Sequence, residues 1–117
     1  MKDPILVLIV KLSEAEEPIA TPITLAVDGF LVSGIVVSAD EYLSHTPLLS
    51  DIKRGFDEAN DKAGGLEDDG ERRFIHLKQA QYFTPDKNPI PNSKEMYTRI
   101  NLEKVAAFSM GTLMVAG

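Results

Sequence analysis

No cysteine occurs in the chain's 117 residues, which excludes disulfides, thiol nucleophiles and thiolate metal sites. Tryptophan is absent too, and five Phe and three Tyr are the only aromatics, so base-stacking platforms are sparse. No apolar run approaches the roughly 20 residues that span a bilayer. The two histidines, His45 and His76, show neither HxxxH nor HxH spacing, so the sequence assembles no metal site and implies no cofactor. The glycines form no GxGxxG and no Walker loop. No Ser sits in a GxSxG turn with a His and an acid placed to activate it. Asp40-Glu41 and Asp57-Glu58 are adjacent pairs on helical patterns, so their carboxylates point apart and make poor acid–base dyads. The acidic run Glu67, Asp68, Asp69 and Glu71 lacks the alternating ligands of a calcium loop and reads as a solvated loop. Bases are outnumbered by acids, for a net charge of −6, which argues against non-specific nucleic-acid binding. Together these absences point to a non-enzymatic domain.

What is present organises around Ile23 to Ser38, ITLAVDGFLVSGIVVS. Ile23, Leu25 and Val27 alternate with Thr24, Ala26 and Asp28, the period-two pattern of a strand with one buried face. Asp28-Gly29 is a strong hairpin signal, because tight hairpin turns need positive φ. Gly34 interrupts the second apolar run and marks a bulge, a bend or a close backbone approach. A strand bent at a glycine is what curls a small sheet into a barrel.

Asp3-Pro4 signals a helix start, although the β-branched run Ile5 to Leu12 fits a strand as well; the reading favours a short helix over 4–13. This opening resembles a signal peptide only superficially, since Asp3-Pro4 stands where positive charge belongs and an acidic flank follows. A cytoplasmic protein is expected. Ser38 and Glu41 form a capping box, and Thr46-Pro47 restarts the helix. Leu49, Ile52, Phe56 and Ala59 recur at helical spacing, which predicts that one face of Leu48 to Lys62 lies on the barrel. Gly64-Gly65 stops that helix. Arg72 to Thr84 alternates as a strand whose faces switch midway, the mark of a twist or bulge. Pro85 to Lys94 is a surface connection. Met96 to Leu102 is a strand, Asn101 to Lys104 a turn, and Val105 to Val115 a last apolar strand that Gly111 allows to bend.

The expected architecture is one domain over 1–117, mainly β with helices (α+β). It is a small five-stranded antiparallel barrel of Sm-like or SH3-like type. It comprises an N-terminal helix at 4–13, the hairpin at 23–38, an acidic helical insertion at 39–63 between strands 2 and 3, and the remaining strands over 72–115. Charge is uneven along it: residues 39–71 carry net −7 and residues 72–104 net +4. Exposed strand edges are expected around Phe74 to Phe83 and Val105 to Val115. They predict a homo-oligomer whose copies associate further through these charges.

The order of motifs resembles the gas vesicle accessory protein U family. These are a G-x-x-x-S-G turn-and-bend at Gly29 to Gly34, an S-x-x-E-Y helix start at Ser38 to Tyr42, an FIHLK strand at Phe74 to Lys78 and a V-x-x-F-x-x-G closing strand at Val105 to Gly111. The resemblance spans about Ile19 to Leu113. It implies a bacterial, non-catalytic accessory role in gas vesicle formation or organisation, acting through self-association and contacts with shell or other accessory proteins. Asp28, Gly29, Gly34, Phe74, His76, Lys78 and Gly111 are then the structural and interaction residues. The hairpin is also similar to the first motif of Sm-like barrels, whose alternative function would be RNA binding or regulation. Met110 stands where that fold places an Arg before the glycine of its last strand, so no nucleic acid is expected as a partner; nor is a membrane.

Overall fold

The computed structural model describes residues 2–62, 71–83, 89–90 and 96–112. The Gly64-Gly65 helix stop, the acidic loop before Glu71, most of the Pro85–Lys94 connection and the end of the last apolar run lie outside them.

Local chemistry sets the elements. Helix α1 (Pro4–Leu12) begins where the Asp3 carboxylate accepts from the Ile5 N–H, with Pro4 at the first helical position. β1 (Thr21–Val27) and β2 (Phe30–Val37) form the hairpin. Its two turn residues both take positive φ, Asp28 at 46° and Gly29 at 90°, the type I′ geometry that matches the twist of the flanking strands. α2 (Ala39–Leu43) follows directly, its first turn capped by Ser38 Oγ accepting from the Glu41 N–H at 3.1 Å. α3 (Pro47–Lys62) starts the same way, with Thr46 Oγ1 accepting from Leu49 N–H. β3 (Phe74–Phe83), β4 (Pro89–Ile90), β5 (Thr98–Asn101), a 3-10 turn over Leu102–Lys104 and β6 (Val105–Met110) complete the described chain.

The strands make one curled, barrel-like antiparallel sheet in the order β4-β3-β2-β1-β6, with β5 also paired to β3. The class is therefore α+β. Inside the curl, Ile23, Leu25, Val32, Ile75 and Leu77 are fully buried, and α1 adds Leu6 and Val10 to the same core. The face switch expected in β3 is a bulge. Ser33 pairs with Gln81 and Ile35 with Lys78, so Gln79 and Ala80 both stand opposite Gly34. Gln79 takes φ 52° there, and Ala80 turns its side chain into the core.

Four expectations are corrected. β3 is not an edge: it has β2 on one side and β5 and β4 on the other. β5 pairs with Phe74 to Leu77, and β4 pairs with Tyr82 and Phe83. The apolar face of α3 does not lie on the sheet, because Ile52 and Phe56 are exposed and Leu49 is only half-buried; α3 packs on α2 instead. The Pro-rich connection contributes the two-residue β4. Finally, β6 ends at Met110 rather than running to Val115, and Gly111 follows it as a bend at φ 105°.

Candidate functional site

The outward face of β3 carries Phe74, His76 and Lys78 in alternation, and β5 lies beside it with Arg99 paired to His76. The Arg99 guanidinium sits 3.8 Å from the centroid of the Phe74 ring, a cation–π contact. Because Ser38 caps α2 at the very end of β2, the helix folds back over this face. It sets Tyr42 on His76, ring centroids 4.8 Å apart. Tyr42 also meets His45 at 5.4 Å, and His45 stacks on Tyr97 at 4.1 Å with the planes 11° apart. Lys78 reaches Glu41 Oε2 at 3.9 Å, tying the sheet to the acidic helix. Beyond α2, the apolar side chains Leu49, Ile52 and Phe56 of α3 line a groove whose other wall is His76 and Arg99.

Phe74, His76 and Lys78 are thus brought into one patch. Asp28, Gly29, Gly34 and Gly111 are not part of it. Asp28 and Gly29 form the hairpin tip. Gly34 lies under the β3 bulge. Gly111 donates its N–H to the Pro22 carbonyl and accepts from Thr24 Oγ1 at the end of β6. Sequence reasoning missed Tyr42, His45, Tyr97 and Arg99 as neighbours of His76. His45 is exposed. Its link to His76 runs through Tyr42 and depends on where α2 docks, which no spacing between the two histidines encodes.

His76 is buried, and its pKa is lowered from 6.5 to about 4, first by burial and then by the positive charge of Arg99. The folded state therefore holds this imidazole neutral, while the unfolded chain protonates it below about pH 6.5. Its contribution to stability is complete above that pH and is lost as pH falls from about 6.5 to about 4. The loss should amount to about 1–3 kcal/mol. Denaturant melts across that window should show it in the parent, with a shallower pH slope in His76→Gln; identical slopes would remove His76 from the role.

Chemically, the patch offers apolar rings, a guanidinium and flanking carboxylates. Among the described residues, no three His, Asp or Glu side chains converge as a metal site. No described helix is long and apolar enough to cross a membrane. The family model described as Gas vesicle protein GvpU-like matches residues 3–113. No curated protein and no solved structure matches the chain.

Proposed function

Because the chain belongs to the gas vesicle protein GvpU-like family, we propose that it is a non-enzymatic accessory protein in gas vesicle formation or organisation. It acts in the cytoplasm by self-association and by binding shell or other accessory proteins. The observation that carries the reading is the family match over nearly the whole chain. The exposed face of α3 supports it: Leu48, Ile52 and Phe56 form a stripe along one side of a helix whose other side is acidic, and contiguous exposed apolar residues mark partner-binding surfaces. We read the curled sheet, bent at Gly34 and preceded by α1, as a barrel of Sm-like or SH3-like type. Fold likeness does not fix function.

Charge adds a second contribution. Part of the asymmetry between residues 39–71 and 72–104 is neutralised within the molecule, by Lys78–Glu41 and Arg73–Glu71. The remaining acids act between molecules and are screened by salt. Flotation of purified gas vesicles mixed with the chain tests the reading. The chain should rise with the vesicles, less so as salt is raised, and the exposed substitutions Ile52→Asp and Phe56→Asp should release it while its circular dichroism is unchanged. A chain that stays below the vesicles at every salt concentration would sink the proposal. Tight binding of a U-rich oligonucleotide in a gel shift would put RNA binding first.

A further inference from the structure

β6 pairs with β1 on one side and, among the described residues, with no strand on the other. An open edge presents unpaired N–H and C=O groups, which proteins protect with charges, proline or bulges that turn the edge away. The sequence of β6, Val-Ala-Ala-Phe-Ser-Met, holds no charge and no proline. Its one irregularity, opposite Ala26 and Val27, leaves Ala107 to Met110 in regular register.

The two faces of this edge differ. On the outer face Ala107 and Ser109 pair with Ala26 and Thr24, whose own partners across the hairpin are Leu31 and Ser33. That strip is uncharged and built mostly from small side chains, in a chain with 26% charged residues. α2 covers the outer face around His76, at the other side of the sheet. On the core side, Phe108 is half-buried and Met110 is 60% exposed at the rim of the curl. The opposite margin of the sheet is unlike β6. β5 has four residues and carries Arg99, and β4 has two and begins with Pro89.

We propose that β6 pairs antiparallel with β6 of a second copy of this chain, joining the two curled sheets across a two-fold axis. The inference rests on the self-association in the functional reading and names its surface. Centred on Phe108, pairing β6 with itself sets Ala106 to Met110 against Met110 to Ala106, keeps each face of the sheet continuous and sets no charge against an apolar neighbour. It brings Phe108 against Phe108 of the other copy, with Met110 of each copy diagonal to it, so apolar burial is added to the main-chain bonds. Ala107 and Ser109 are small enough to let the outer faces run on without a step. β5 of another copy would offer four residues and would set Arg99 against an uncharged strand. A two-fold pairing also closes on itself, as most homo-oligomeric interfaces do.

The absence of cysteine makes the test clean. Light scattering coupled to size exclusion should give the parent the mass of a dimer. Ala107→Lys and Ser109→Lys, each a charge placed on the edge, should halve that mass with the far-ultraviolet circular dichroism unchanged. Ala107→Cys and Ser109→Cys in one chain, which face each other across the axis, should oxidise to a covalent dimer and nothing larger. A monomeric parent, or a mass unchanged in both lysine variants, would overturn the proposal. So would a ladder of larger covalent species from Arg99→Cys combined with Ala107→Cys, which would place β6 against β5 of the next copy. A monomer that still floats with gas vesicles overturns the edge pairing and leaves the vesicle-binding part of the functional reading standing. A lysine-sensitive dimer that never floats with them does the reverse.

Discussion

Replacing Gly34 by valine should destabilise the fold by about 3 kcal/mol, the upper part of the range for overpacking a tight site. The reason is a backbone approach. The bulge pushes the Lys78 carbonyl toward β2, so a Cβ built on Gly34 would lie 2.9 Å from that oxygen and 3.0 Å from Leu77 Cβ. Neither neighbour can swing aside: one is main chain, and the other is the first atom of a fully buried side chain. Gly34→Ala already meets this contact and should cost about 1–3 kcal/mol; valine adds two methyl groups in the same space. Gly55 on α3 is the control, because nothing lies within 4 Å of a Cβ there. Gly55→Ala should stabilise by about 0.5–1 kcal/mol through helix propensity. Denaturant titrations of the three variants decide the matter, and an unchanged midpoint for Gly34→Val would end the argument.

Truncating Leu6 to alanine should cost about 2–5 kcal/mol, the usual range for a leucine removed from a packed core. α1 has nine residues, too few to hold a helix by its own hydrogen bonds in water. It persists because Leu6 and Val10 are buried in the core. Every residue of α1 except Lys11 is apolar, so composition cannot say which face turns inward. Leu8 is 55% exposed, and Leu8→Ala should change stability by no more than about 0.5 kcal/mol. Thermal or chemical melts of the pair separate the two faces. Equal losses would mean that α1 docks by a different side.

What could be read from the chain in advance was whatever depends on neighbours in sequence. Asp28-Gly29 specifies a turn because the residues that need positive φ are the turn itself. Asp3, Ser38 and Thr46 cap helices because the N–H groups they satisfy lie two or three residues on. The bulge in β3 was legible as a change of face along Phe74 to Phe83, since a period of two cannot shift without an extra residue. Contacts across long separations were not legible. The periodicity of α3 showed that it has an apolar face but not what that face meets, and the face is open. The alternation of β3 gave a strand but not its neighbours, and two short partners, one inside a Pro-rich stretch, remove it from the edge. At the candidate site, His76 and Lys78 were visible as part of a motif. The groups packed around His76 were not, because Tyr42 and Arg99 arrive from separate elements.

That cluster of rings also decides what spectroscopy of this protein reports. With no Trp, its near-ultraviolet signal and emission come mainly from Tyr42, Tyr82 and Tyr97. Tyr42 lies against His76, and Tyr97 stacks on His45. Tyr82 is in the sheet, edge-on to Phe30 and hydrogen-bonded to Thr98. Two of the three chromophores therefore watch the seating of one five-residue helix, and none is in the fully buried centre. If α2 lifted while the sheet stayed closed, the near-ultraviolet circular dichroism would fade and the far-ultraviolet spectrum would hold. That pair of signals is ordinarily taken for a molten globule, but here it would mark one helix leaving an intact core.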